Sequence, residues 1–382
     1  TPFCSYGGSL REFPASHAFA AAAKDALQSS NVDPVLVDQT VVGNVNYLSQ
    51  CDGGKTPRYC GIYSGVPLEK PALGVNKACG TGVQALITAG VDILFGTSHI
   101  CLTGGTEIMS SLPMLVRNVR FGTALGTPYV FEDHVNTDLV DSQSGLSLVK
   151  VAEQLAKKYK IGRDEADDFA LNSHLRWRKA METKALKDEI TSVTVTLKKN
   201  DVDVTTDELP NVNISKKQLS QLQPVFGDGV VTIGNSAVPA DGAAAVLLAS
   251  ESAISQHHLT PLARLVGWST IGVDPEDVGI GAVSAIRRLL EEQKIGLDNV
   301  DLFEINETYA SQVLAIAKEL RIDTSKVNVE GGALALGHPI AATGARMVAS
   351  LVYQMRRRKA KRAIVASSCG GGQGVAVMLE TL

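Results

Sequence analysis

Aromatic residues are scarce in this chain of 382 residues, at 5%, and two tryptophans stand against 35 glycines. That poverty excludes a core built on large stacked rings and favours tight turns and small side chains in close contact. No run reaches the ~18 to 20 apolar residues of a membrane-spanning helix. The opening Thr1-Pro2-Phe3 lacks the charged-then-apolar pattern of a secretion signal, and the closing Glu380-Thr381-Leu382 is not a peroxisomal tripeptide. Neither sign of charge dominates: the net charge of −4 offers no general attraction to nucleic acid or anionic lipid, so an anionic ligand needs a local site. The six cysteines (Cys4, Cys51, Cys60, Cys79, Cys101 and Cys369) form no Cys-x-x-Cys pair and have no histidine at zinc spacing. Free thiols in a reducing compartment are expected, with no metal site and no disulfide framework.

What is present is an α/β profile. Hydrophobic residues make up 45% and charged residues 20%, and the length allows two or three domain-sized units. Laid on itself with a shift of 263 residues, the sequence repeats in kind. Ala26-Leu27 through Val37-Asp38 falls on Leu289-Leu290 through Val300-Asp301, and the strand-like Thr40 to Asn44 falls on Phe303 to Glu307. Thr81-Gly82 opens an apolar helical run to Phe95, and Thr343-Gly344 opens another to Met355. Strands follow at His99 to Thr103 and Arg362 to Ala366, each running into glycines. Two similar α/β halves are therefore expected, packed with helices between two mixed sheets. The expected division is 1–112 with 226–255 for the first half, 256–382 for the second, and an inserted domain at 113–225. Within the insert, Asp164 to Lys179 reads as a surface helix burying Phe169, Leu175 and Trp177.

Three glycine-rich loops carry candidate chemistry. Cys79 stands just before an apolar helix, where backbone N–H groups and the helix dipole favour a thiolate; the other reading is a small packing residue. His338, in Gly337-His338-Pro339, precedes the matching helix of the second half and is either a base for a nearby thiol or a turn histidine bonded to backbone. Ser367-Ser368-Cys369-Gly370-Gly371-Gly372 ends a strand. It is either an ordinary turn or an oxyanion hole with Cys369 beside it as an acid or base. It lacks the Lys-Ser/Thr ending of a phosphate-binding P-loop.

Cys79, Asn306-Glu307, Gly337-His338-Pro339 and Cys369-x-Gly-Gly, in this order, resemble the four signature loops of the thiolases. The likeness extends to Tyr6-Gly7-Gly8, Gly104-Gly105-Thr106-Glu107 and Asn118 to Gly122, and is strongest toward the 3-ketoacyl-CoA thiolases of mitochondrial fatty-acid β-oxidation. The resemblance implies a two-step acyl transfer. Cys79, activated by His338, attacks the 3-keto carbon; acetyl-CoA leaves as an enolate that Cys369 protonates; Cys369 then activates CoA to collect the acyl group. Asn306 would hold a water, and the N–H groups of Cys79 and Gly371 would hold the oxyanions. It further implies a homodimer or homotetramer, a mitochondrial matrix address, CoA as substrate, and no cofactor. An acetoacetyl-CoA thiolase working toward condensation is the runner-up, and a catalytically silent acyl-CoA-binding protein the reading of another class.

The chain departs from the family pattern in places. Thr308-Tyr309 stands where thiolases usually show Ala-Phe. The candidate CoA and acyl contacts Ser147, Leu148, Ser236 and Ala237 sit in Gly145 to Leu148 and Gly234 to Val238, where a methionine and a shifted serine are usual. A strand usually preceding Thr1 is expected to run through the middle of the first sheet. The basic run Arg356 to Arg362 is read as a solvated helix end, His257-His258 as a surface loop, and Glu107 as structural.

Overall fold

The computed structural model describes residues 1–49, 52–137 and 139–382; Cys51, one of the thiols expected to be free, lies outside them. In chain order the strands are β1 (Cys4–Ser5), β2 (Gln39–Gly43), β3 (Ala72–Val75), β4 (Ile100–Ile108), β5 (Met114–Val116), β6 (Phe131–Asp133), β7 (Val193–Leu197), β8 (Asn200–Val204), β9 (Ala240–Ala249), β10 (Arg264–Gly272), β11 (Leu302–Ile305), β12 (Arg362–Cys369) and β13 (Gln373–Glu380). One sheet runs β1-β9-β4-β2-β3 and the other β10-β13-β12-β11.

The repeat survives as topology. β2 and β4 are parallel with β9 antiparallel to β4, and β11 and β12 are parallel with β13 antiparallel to β12. The strand starts, 39 against 302 and 100 against 362, keep the offset read from the sequence to within one residue. Every residue of β4 is buried, as its apolar run with both faces covered requires. Its middle neighbours are β9 and β2, while the residues after Thr1 lie at the sheet edge on β9, so the expectation of an opening strand in the middle is corrected.

Helices Thr81–Leu94 and Ile340–Arg358 fill the layer between the sheets, where Val83, Leu86 and Ile87 share a core with Met347, Val348, Leu351 and residues of β12 and β13. They cross on glycine. A Cβ on Gly82 would lie 2.5 Å from the Ala345 nitrogen, and one on Gly344 would lie 2.7 Å from the Val83 nitrogen. Only backbone fits at that crossing. Outside, helix Ala15–Ser29 covers the first sheet, and helices Gly281–Gln293 and Ala310–Leu320 cover the second.

The segment 113–225 is divided between the two halves and does not enclose a core of comparable size. Val151, Leu155, Phe169 and Ala170, from helices Leu148–Lys158 and Arg163–Glu182, belong to the core of the second half, whereas Val193, Val195 and Val204 of the β7–β8 hairpin belong to that of the first. Helix Arg163–Glu182 buries Phe169 and Trp177 as expected, but Leu175 is only half-buried and Ser173 and His174 take its place on the inner face. Burial pushes His174 down to about 4, so it sits there neutral. Asp207 ties the insert to both ends of the chain: it pairs with Arg346 at 3.0 Å and accepts from Phe3 N and Trp177 Nε1. Burial opposes its ionisation, but the Arg346 charge and these donors hold it below the usual carboxylate range. The basic run is an exposed helix end as expected, and Arg357 within it also bridges Glu189 and Glu330 at 2.8 and 2.6 Å.

Candidate active site

Cys79 stands in the turn between β3 and helix Thr81–Leu94, and the turn is built to hold it out of the sheet. Ala78 has φ +44°, a left-handed conformation that costs a non-glycine residue of order 1–3 kcal/mol unless its surroundings impose it. Two bonds impose it: the Ala78 N–H donates to Asn76 Oδ1 at 3.0 Å, and Thr81 Oγ1 donates to the Ala78 carbonyl at 2.6 Å while accepting from Lys77 N at 2.8 Å. The thiol ends half-buried at a helix N-terminus.

His338 occupies the matching place in the second half and is buried. Its Nδ1 lies 2.7 Å from Thr343 Oγ1, whose own hydroxyl donates to the Pro339 carbonyl at 3.1 Å. The threonine oxygen is thereby an acceptor, so the ring proton belongs on Nδ1 and the Nε2 lone pair is left to act as a base. Nε2 lies 3.4 Å from Asn306 Nδ2. Burial pushes the imidazole down to about 4, so it is neutral at pH 7. Asn306 follows directly on β11, and its Oδ1, sealed from solvent, has no partner among the described residues. Its neighbour Glu307 points the other way. There it accepts from Ser173 Oγ, Asn328 Nδ2 and Leu334 N at 2.7–3.0 Å, fastening the loop that carries His338.

Cys369 is the last residue of β12, and Gly370 to Gly372 turn the chain into β13. Gly371 and Gly372 adopt φ +77° and +74°, which the side chains of other residues rarely tolerate. A Cβ on Gly80 would lie 2.4 Å from the Cys369 sulfur, so the glycine after Cys79 is what admits the second thiol. Burial, then the charge of Cys79, pushes the Cys369 thiol up to about 12; it holds its proton at neutral pH. Cys79 opens on a cavity of about 330 Å³ whose wall includes Leu148, Val151, Thr308, Tyr309, Gln312 and Gly370.

Of the expected CoA and acyl contacts, Leu148 lines this cavity. Ser147 instead caps helix Leu148–Lys158 by accepting from Lys150 N, and Ser236 donates to the Thr232 carbonyl. Ala237 contributes its N–H to the Thr308 carbonyl, holding the loop after Asn306 in place. Sequence reasoning gave no role to Thr81, Thr343 or Glu307. The paired Thr-Gly openings of the repeat were the available signal for the threonines. Glu107, set aside as structural, accepts from Val45, Asn46 and Ala341 N–H groups, and burial pushes it up to about 7. Among the described residues no group of three or more His, Cys, Asp or Glu could hold a metal ion.

Comparison with known proteins agrees with this arrangement. A family model for the thiolase N-terminal domain matches residues 1–252, and one for the thiolase C-terminal domain matches residues 259–381. The mitochondrial 3-ketoacyl-CoA thiolase of Homo sapiens is 43% identical over 382 residues, covering 100% of this chain and 96% of that protein; its Mus musculus counterpart is 41% identical at the same coverage. The crystal structure of the human enzyme superposes with a TM-score of 0.98, covering 100% of this chain and 97% of that one, and its complex with CoA gives 0.96. The Bacillus anthracis acetyl-CoA acetyltransferase, 36% identical, also gives 0.96, covering 100% of this chain and 96% of its own. The chain belongs to the thiolase family.

Proposed function

We propose that this chain is a 3-ketoacyl-CoA thiolase, an acyltransferase that cleaves a 3-ketoacyl-CoA with CoA, and that Cys79 carries the acyl group. The observation that supports this most is the meeting of two thiols of unlike character: Cys79 half-exposed at a helix start, and Cys369 buried and proton-bearing against Gly80. His338 Nε2 takes the Cys79 proton, and the thiolate adds to the 3-keto carbon. The bond between substrate carbons 2 and 3 then breaks, its electron pair passing to carbon 2 of the departing acetyl-CoA enolate. Cys369 protonates that carbon. In the second step the Cys369 thiolate takes the proton of incoming CoA, whose sulfur attacks the acyl-Cys79 carbonyl and expels Cys79. The unpaired Asn306 Oδ1 is free to orient a water or substrate group in the site, and backbone N–H groups of Cys79 and Gly371 receive the tetrahedral oxyanions.

CoA and acetyl-CoA are the partners of this reaction, and its place is the mitochondrial matrix, in fatty-acid β-oxidation, within a homodimer or homotetramer. These assignments rest on the resemblance to the mitochondrial relatives. The second reading is an acetoacetyl-CoA thiolase that runs toward condensation with the same groups; the Bacillus anthracis acetyl-CoA acetyltransferase shares the fold at 36% identity. Intact mass after incubation with acetyl-CoA tests the covalent step: an adduct of about 42 Da, one acetyl group, is expected on the wild type and not on Cys79→Ala. Its absence from the wild type would support the catalytically silent acyl-CoA-binding protein instead.

A further inference from the structure

Two polar side chains in the wall of the Cys79 cavity have no part in the thiolysis steps. Tyr309 and Gln312 open helix Ala310–Leu320, and they are 8% and 5% exposed. Among the described residues neither the phenol hydroxyl nor the carboxamide makes a hydrogen bond. Neither polar group is sealed from solvent in the way that Asn306 Oδ1 is, so both open onto the cavity they line, where a ligand group can reach them. Both face the cavity that holds Cys79, and the field of the Cys79 charge, after burial, raises the Tyr309 phenol.

The rest of the wall defines what the occupant can be. Leu148, Val151, Ala152, Leu155 and Val278 are apolar, and no Lys, Arg, His, Asp or Glu lines the cavity. A carboxylate or ammonium group there would have no counter-charge, so the matching chemistry is neutral. The usual Ala-Phe of the family would present a methyl and a phenyl ring; Thr308-Tyr309 adds a hydroxyl at both positions. Thr308 Oγ1 is taken by Asn306 Nδ2 at 3.4 Å, which leaves the Tyr309 hydroxyl for the ligand.

We propose that Tyr309 and Gln312 form a polar acyl subsite, which selects 3-ketoacyl-CoA substrates bearing a hydroxyl or ketone on the acyl chain over unsubstituted alkyl chains of the same length. The inference rests on the reading of Cys79 as the acylated residue. A site built to hydrogen-bond a substrate group discriminates strongly against the analogue that lacks it, because its own polar groups are then left unpaired.

The test compares kcat/KM for 3-ketohexanoyl-CoA and 3-keto-5-hydroxyhexanoyl-CoA on the purified enzyme, followed as acetyl-CoA formed with CoA present. The hydroxylated substrate is expected to be favoured by roughly 10-fold, and Tyr309→Phe and Gln312→Met are each expected to reduce that ratio by about 3-fold or more. Equal values for the two substrates, a preference for the alkyl chain, or a ratio unmoved by both substitutions would overturn the subsite. Release of acetyl-CoA from neither substrate would overturn the thiolase reading itself.

Discussion

The loop ahead of helix Thr81–Leu94 and the loop ahead of helix Ile340–Arg358 hold matching places in the two halves, yet Cys79 is half-exposed whereas His338 is buried. Both loops lean on a threonine in the first turns of the helix that follows. Thr81 clasps the backbone on either side of Ala78, and Thr343 clasps the imidazole. The same device thus fixes a backbone conformation in one half and a tautomer in the other. Burial explains the division of labour: desolvation lowers the histidine and raises Cys369, giving a neutral base and a retained acid, while the group that must meet substrate stays at the helix start nearer to solvent.

Removing the dry half of the pair has the largest expected effect. His338→Ala should lower kcat by about 10²–10⁴-fold, the usual worth of a positioned base, and Cys369→Ala should still acylate Cys79 but turn over slowly by a similar factor. Intact mass separates the two, since Cys369→Ala should still accumulate acyl-Cys79, more slowly than the wild type, and His338→Ala should not. The threonines sharpen the comparison next. Thr343→Val should reduce kcat by about 10-fold with little change in KM, because it frees the imidazole without touching substrate. Thr81→Val should do the same through Cys79, and an unchanged kcat there would break the equivalence of the two loops.

The glycine crossing gives a smaller, structural effect. Gly344→Ala forces a methyl against the Val83 backbone and should destabilise by about 1–3 kcal/mol, read as a lowered Tm. The pH profile is the mildest probe. Because the folded His338 is lowered to about 4 from an ordinary value near 6.5, its base form persists in mildly acid solution. Between those values the unfolded chain binds the extra proton, so this contribution to stability is present above about pH 6.5 and is lost as pH falls toward 4. The acid limb of kcat/KM due to His338 should accordingly fall below about pH 5. A limb near 6.5 would show an imidazole far wetter than the one described here.

Much of this was legible in the sequence because it is periodic or local. The 263-residue repeat foretold two similar halves, which the parallel pairs β2 with β4 and β11 with β12 embody, and the Thr-Gly openings marked the two central helices. Cys79, Asn306, His338 and Cys369 were legible as four loops of one family. What stayed hidden depends on distant partners. Nothing near Asp207 announces Arg346, Phe3 and Trp177, and nothing near Arg357 announces its ion pair with Glu189. How the insert packs stayed hidden for a related reason. Its helices are amphipathic like those of any small domain, and only the three-dimensional packing reveals that their apolar faces complete the second half while the β7–β8 hairpin completes the first.

The crossing of Gly82 on Gly344 has one more consequence. A joint made of peptide backbone has no rotamers to exchange, so the spacing of the two helix starts, and with it the placing of Cys79 relative to His338, is insulated from the side-chain hopping that softens ordinary packing. The joint therefore sets that spacing by backbone geometry alone, before any substrate arrives.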